Sequence, residues 1–337
     1  RRLMPLCRSQ ADQYMMFSPR LRNRNAMQQQ NHSTHEIDTD SGHRIPVTLW
    51  DTGDEPRAVI QVFHGLGEHI ARYERFAAAA NARGYAVCGN NHRGHGPESK
   101  EPGFFAEKDG WRLLVDDGHR VTEFLQDRFS GKPLVLLGHS MGSYVAQSYA
   151  MRFGESLAAL VLSGSTWPSR GLLFVGRILA LFEKWRLGAQ GSSPLLDKIG
   201  FGDFNRKFEP ARTELDWLSR DPDEVDKYVA DPLCGGPYST GLWRDLLGGL
   251  REISDTDALG RIPANLPVLI TGGADDPVGG AKGMLQLADA YRRSGHERVD
   301  KVIYADGRHE MLNETNRDAF TMDLLDWVEQ QLTGYQV

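Results

Sequence analysis

The sequence predicts an α/β protein: a mainly parallel sheet covered by helices on both faces, interrupted once by a helical insertion. Three observations predict it. From residue 35 onward, short apolar runs that end in glycine alternate with stretches of helical character, the order that builds a parallel sheet through crossover helices. The run RAVIQVFHG (57–65) is nearly continuous in apolar residues, as a strand buried on both faces would be. One interval, 167–261, breaks the alternation and is too long for a structureless loop inside a compact domain.

The elements follow in order. Residues 1–33 precede the pattern; the first 30 carry six arginines against one acid and no apolar core of signal-peptide length. A disordered extension is expected there, with Met27 near a natural start. HEIDTDSGHRIPVTLWDT (35–52) reads as two strands joined at Asp40-Ser41-Gly42, a hairpin signal. After the strand at 57–65, residues 71–84 read as a helix closed by Gly84, and YAVCGN (85–90) as a strand leading into a glycine-rich loop. Residues 109–130 form the next helix, closed by Gly131 and Pro133. A strand over 133–138, a helix after Ser140 and a strand over 157–165 complete the first part of the core, 34–166. The second part, 262–337, holds LPVLITGG (266–273), a helix over 281–294, the strand RVDKVIYADG (298–307) and an amphipathic helix over 316–332. Between the two parts, 167–261 is expected to stand over the strand ends as a cap. No internal repeat suggests another architecture.

Composition narrows the function classes. The chain has 337 residues, 40% hydrophobic and 25% charged, with a formal net charge of -6. That balance gives no reason to expect a nucleic-acid partner. Cys7, Cys88 and Cys234 lie far apart, which argues against a disulfide framework and shows no metal-ligand spacing. The longest apolar run, GLLFVGRILALF (171–182), contains Arg177 and falls short of the roughly 18–20 residues that span a bilayer. A cytoplasmic location is the default expectation, and the oligomeric state is left open.

In parallel sheets, chemistry belongs beyond the carboxyl ends of the strands. The pattern G-x-S-x-G occurs as Gly138-His139-Ser140-Met141-Gly142, between an expected strand and an expected helix, the setting of a nucleophile elbow. The competing reading is that Ser140 merely caps the helix. A serine hydroxyl needs a base, and histidine suits because its pKa lies near neutrality. Of 11 histidines, His309 is selected because it follows the last strand. His64, His69, His92 and His95 are read as loop histidines that simply find hydrogen-bond partners. The imidazole needs an acid to set its tautomer; GGADDPVGG offers Asp275 and Asp276. Asp276 is preferred because it precedes Pro277 and is biased toward an extended backbone, with Asp275 kept as the alternative. The order Ser140, Asp276, His309 is that of the α/β-hydrolases. HGLGEH (64–69) follows a strand and brings glycines that allow close backbone approach. The amides of Leu66 and Met141 are therefore expected to bind the oxyanion. No G-x-x-x-x-G-K-[ST] or G-x-G-x-x-G follows a strand, which argues against a nucleotide site.

HGLGEHIARY, HRGHG, GHSMG, DPVGG and RHEMLNE together resemble the monoacylglycerol lipase and lysophospholipase branch of the α/β-hydrolases, the serine-aminopeptidase-S33-like or Hydrolase_4 group, from about residue 35 to the C-terminus. RTELDWLSRDPDEVDKYVADPLCG (212–235) resembles the caps of its bacterial members. The resemblance implies an α/β-hydrolase fold with Ser140 as nucleophile, Asp276 as acid, His309 as base, and Leu66 and Met141 as oxyanion donors. Two departures stand out: Asn91 replaces the aspartate usual before H-R-G-H-G, and the cap continues CGGPYST (234–240) rather than C-G-F. The expected activity is acyl-ester hydrolysis through an acyl-enzyme on a small-molecule ester or lipid, with no metal or organic cofactor. An amidase, an aminopeptidase or an acyltransferase could use the same three residues, and a hydrolase-fold receptor is the non-catalytic alternative. The apolar run at 172–182 could line an acyl tunnel, pack the cap onto the core, or touch a membrane surface transiently.

Overall fold

A computed structural model of the chain describes residues 32–39 and 42–333. Strands β1 (His32–Asp38) and β2 (Arg44–Trp50) form the expected antiparallel hairpin, with Ile37 opposite Ile45. Gly42 takes a left-handed φ of 76° in its turn, while Asp40 and Ser41 lie outside the described residues. Then come β3 (Ala58–Phe63), α1 (Glu74–Asn81), β4 (Tyr85–Asn90), α2 (Gly110–Arg128), β5 (Leu134–His139), α3 (Met141–Phe153) and β6 (Ala159–Ser163). Five helices follow before the next strand: α4 (Arg170–Leu187), α5 (Pro194–Phe201), α6 (Pro222–Ala230), α7 (Thr240–Ile253) and α8 (Thr256–Leu259). The chain closes with β7 (Val268–Gly273), α9 (Gly280–Arg293), β8 (Val299–Tyr304) and α10 (Arg317–Leu332).

The strands form one sheet in the order β1-β2-β4-β3-β5-β6-β7-β8. Only the β1–β2 and β2–β4 pairs are antiparallel. Because successive side chains on a strand point to opposite faces, β5 feeds both cores. Leu134 and Leu136 pack with α2, α3 and α9 on one face, and Val135 and Leu137 pack with α1 and α10 on the other. The mainly parallel sheet with helices on both faces is thus as the sequence predicts.

This topology positions the site. From β3 the chain turns through α1 to β4 on one side, whereas from β5 it turns through α3 to β6 on the other. The connections leaving the paired strands β3 and β5 therefore run to opposite sides at their carboxyl ends, the kind of switch point where ligands bind in such sheets. Leu66 follows β3 and Ser140 follows β5.

Helix α4 meets the packing reading of its apolar run only in part: Leu173 and Ala180 are buried and Leu179 packs against the core. The helix packs on α7, which packs in turn on α2 and α3. Yet Leu172 is 76% exposed, Phe174 66% and Trp185 81%, and Val175, Ile178, Leu181 and Phe182 are at least half exposed. Only Leu173, Ala180 and Glu183 of this helix are buried. The exposed side chains neither line an enclosed tunnel nor pack inward. The physical reason is that α4 meets its neighbours along one narrow stripe, while its apolar residues run around most of its circumference.

Candidate active site

Ser140 stands at the turn from β5 into α3 with φ 50° and ψ −121°. A non-glycine residue held there costs about 1–3 kcal/mol, so its surroundings must impose it. Two glycines make the turn possible. A Cβ on Gly142 would lie 2.0 Å from the Phe63 carbonyl oxygen, and one on Gly138 would lie 2.5 Å from the Gly142 carbonyl oxygen. Hydrogen bonds hold the turn: Ser140 N donates to Ser163 O at 2.9 Å, and Ser143 N and Oγ donate to Ser140 O at 2.9 and 2.6 Å. The Ser140 side chain accepts no amide of α3. The capping alternative is not realised.

His309 Nδ1 donates to Asp276 Oδ2 at 2.9 Å, and each side chain is only 3% exposed. This bond places the imidazole proton on Nδ1 and leaves Nε2 with a lone pair. Asp276 Oδ1 accepts the Val278 amide at 2.8 Å, which fixes the carboxylate. Asp275, the alternative acid, instead pairs with Lys207 in partly exposed surroundings. Burial opposes a charge on His309, but the Asp276 carboxylate and its hydrogen bond outweigh it, with Glu310 and Glu68 adding, so the imidazole pKa is raised.

Ser140 and His309 are near neighbours. Ser140 N bonds the carbonyl of Ser163, and a Cβ on the next residue, Gly164, would lie 3.1 Å from His309 Cε1. Among the described residues no direct hydrogen bond joins the Ser140 hydroxyl to His309. Such bonds are often long without substrate and tighten in the reacting complex.

The loop after β3 packs against the elbow, since a Cβ on Gly65 would lie 3.2 Å from Ser140 Cβ. Among the described residues, neither the Leu66 nor the Met141 amide meets an acceptor. Met141 is the first residue of α3, where the orphan N–H groups and the helix dipole favour negative charge.

Three of the four loop histidines have partners. His64 donates from Nδ1 to Gly65 O at 2.8 Å and accepts the His92 amide at Nε2, 3.0 Å. His95 bonds Arg93 O and the Gly67 amide, and His69 Nε2 bonds Asp231 Oδ2 at 2.8 Å. His92 departs from the expectation: it is buried, and neither ring nitrogen finds a hydrogen bond. Asn91, the departure before H-R-G-H-G, makes two loop contacts of its own. Its Oδ1 accepts the Ile70 amide at 2.9 Å and its Nδ2 donates to Glu98 at 3.0 Å, a donation that a carboxylate could not make. CGGPYST lies over the loop after β3, where Gly235 N donates to Gly67 O at 2.8 Å and the Tyr238 hydroxyl abuts Gly67.

His69, Asp231 and Cys234 bring donor atoms within 4.8 Å of one another. That chemistry could hold a metal ion. However, His69 and Asp231 already bond each other, and burial pushes the Cys234 thiol up to about 12.

The segments quoted above also bring side chains of no predicted role to the site. The Trp217 ring lies 5.1 Å from that of His309, and His139 lies 4.8 Å from His309. Glu68, Arg72 and Glu310 form a buried ion cluster beside them. The spacing of Glu68 and Arg72, four residues apart, is the one local signal that could have found the cluster.

Residues 54–316 match the family Hydrolase_4, described as serine aminopeptidase, S33. A monoacylglycerol lipase of Mycolicibacterium smegmatis is 26% identical over 303 residues, spanning 89% of this chain and 98% of its own. The human monoglyceride lipase is 26% identical over 76% of this chain and 77% of its own. A thermostable carboxyl esterase from Bacillus coagulans superposes with a TM-score of 0.82 at 26% identity, covering 89% of this chain and 99% of the esterase. With its sheet order, its strained serine and a match over most of its length, the chain belongs to the Hydrolase_4 (serine aminopeptidase, S33) family of α/β-hydrolases.

Proposed function

We infer that the protein is a serine ester hydrolase that cleaves acyl esters of the monoacylglycerol class by two-step acyl transfer. The observation that carries this reading is the buried Asp276–His309 pair at 2.9 Å beside a serine held at φ 50°. His309 Nε2 takes the proton of Ser140 Oγ as that oxygen attacks the ester carbonyl. The oxyanion forms against the Leu66 and Met141 amides. His309 then protonates the leaving alcohol, and a water activated at the same nitrogen releases the fatty acid. Asp276 holds the tautomer and stabilises the imidazolium.

Residues 167–261 act in this reading as a cap that shapes the acyl site. Its short helical turn Asp216–Leu218 lies against the base: Trp217 O accepts the His309 amide at 3.4 Å and Leu218 O accepts the Glu310 amide at 2.8 Å. The outward apolar face of α4 is the surface we assign to transient contact with lipid aggregates. No helix among the described residues is long and apolar enough to cross a membrane. A helix with apolar residues on its outer side can instead lie in the interface.

The test is fluorophosphonate labelling of the wild type and of Ser140→Ala, with hydrolysis of monoacylglycerols and p-nitrophenyl esters of increasing chain length. Labelling only of the wild type, with rates rising with chain length, is expected, since each buried methylene contributes about 0.8 kcal/mol, roughly a factor of four. Faster cleavage of amides than of esters would move the reading to an aminopeptidase, and transfer to an added alcohol in preference to water would move it to an acyltransferase. A wild type that neither labels nor hydrolyses would leave a binding protein.

A further inference from the structure

We propose that Arg72 is a positioning residue: through Glu68 and Glu310 its guanidinium ties the loop that carries the Leu66 amide to the loop that carries His309. This rests on the acyl-transfer reading above and adds to it a group that touches neither the substrate nor the reacting atoms. On one side, Arg72 Nη1 donates to Glu68 Oε2 at 2.8 Å. The other oxygen of Glu68 accepts the Gly65 amide and the Tyr73 hydroxyl. On the other side, Arg72 makes a fork to both oxygens of Glu310, 2.7 Å each. Glu310 follows His309 directly, and its amide is bonded to Leu218 O. Arg72 also lies over the Tyr228 ring, 4.8 Å from its centre, and the Tyr228 hydroxyl donates to Gly67 O at 2.6 Å.

The peptide group before the Leu66 amide is therefore held by this cluster, and the one after it by His95. Gly65 N is bound by Glu68, Gly67 O by Tyr228, and Gly67 N by His95 Nε2 at 3.2 Å. The Leu66 N–H between them keeps no partner among the described residues. An oxyanion donor must be aimed before the charge develops, and these bonds aim it. The fork matters because a planar guanidinium fixes direction as well as charge.

Burial makes the arrangement demanding. Glu68 and Glu310 are 4% and 6% exposed, so removing Arg72 leaves two carboxylates without their shared cation in a site that excludes water. The loops are expected to separate slightly to let water in. A displacement of about 1 Å at such a donor can cost on the order of 10²-fold in rate.

The experiment compares Arg72→Met, Arg72→Lys, Glu68→Gln and Glu310→Gln with the wild type. Active sites are counted by fluorophosphonate labelling carried to completion, and kcat and KM are measured per labelled site on a short soluble ester. The affinity for a trifluoromethyl ketone, which forms a tetrahedral adduct, is measured alongside. We expect Arg72→Met to lower kcat per site about 10²-fold with KM within threefold, and to weaken the ketone by the same factor as kcat. Arg72→Lys, which keeps the charge without the fork, should recover only part of the loss. A purely structural role would reduce the number of labelled sites and leave kcat per site unchanged. That result, or a change confined to KM, overturns the proposal. If Arg72→Met does not fold, the two glutamine variants decide by the same criterion. Absence of labelling and hydrolysis in the wild type would instead remove the acyl-transfer reading itself.

Discussion

Helices α3 and α4 are both rich in apolar residues, yet they have opposite fates. Helix α3 buries eleven consecutive residues, Met141 to Met151, including Ser143, Gln147 and Ser148. Helix α4 buries three and turns Leu172, Phe174, Ile178 and Trp185 to the outside. Most polar groups of α3 are bonded inside: Ser143 to Ser140 O, Gln147 Nε2 to Ser143 O, and Ser148 to Trp111, whereas Gln147 Oε1 is buried without a hydrogen-bond partner. The apolar residues of α4 are left outside because its one packing partner of extent is α7. Burial follows neighbours, not residue type. It also separates two roles: α3 begins beside the serine proposed to react, whereas α4 offers surface.

The comparison can be broken most severely at the start of α3. Ser140→Ala should lower kcat by about 10⁴–10⁶ with an unchanged fold; a variant that kept most of its rate would take α3 out of the chemistry. Next in size is Asp276→Asn, expected to lower kcat about 10⁴-fold by freeing the wrong tautomer of His309. The pH profile sharpens this. Asp276 helps raise the His309 pKa, so the wild-type rate should climb with pH through a midpoint above the ordinary value of about 6.5 as the base loses its proton. In the asparagine variant, residual activity should climb at lower pH. A midpoint that did not move would contradict the pairing. For stability the sign is opposite: the bonus from a raised histidine pKa is full below about 6.5 and fades as pH rises through the folded-state value.

Gly142→Ala probes the rigidity of the same helix. Its Cβ would sit 2.0 Å from Phe63 O and 2.5 Å from His64 O, so overpacking of about 1–3 kcal/mol is expected, read as a lower midpoint in denaturant. Equal stability would mean that the turn is looser than its contacts suggest. The smallest effect on the folded enzyme belongs to α4. Replacing Phe174, Ile178 and Phe182 together with serine should change stability by roughly 0.5 kcal/mol or less per site and leave the rate on a short soluble ester unchanged. Binding to phospholipid vesicles should fall at least about tenfold, as expected for losing several partly inserted apolar side chains. Unaltered vesicle binding would leave the outer face of α4 without the role assigned to it.

Legibility in the sequence followed the range of the forces involved. The alternation of strands and helices could be read because apolar runs, glycine stops and helix lengths are written within ten or twenty neighbouring residues. Ser140 could be read because a strand, a turn between glycines and a helix are contiguous. The helix after it begins at Met141, as expected. Asp275 and Asp276 could not be separated with the same security, since they share a loop. What separates them is a partner 33 residues away for Asp276 and Lys207, in the inserted segment, for Asp275. Arg72 lies within HGLGEHIARY, but its tie to the loop of His309 has no local sign because its fork reaches a glutamate 238 positions along the chain.

By itself, then, the sequence determined the sheet and helix order, the strained serine and the set of groups able to act on an acyl bond, because each is encoded by residues next to one another. Only the tertiary structure decided which carboxylate meets His309, which cation spans the two loops, and that α4 presents its apolar side outward. Those outcomes depend on contacts between distant segments, and no local pattern carries the distance between them.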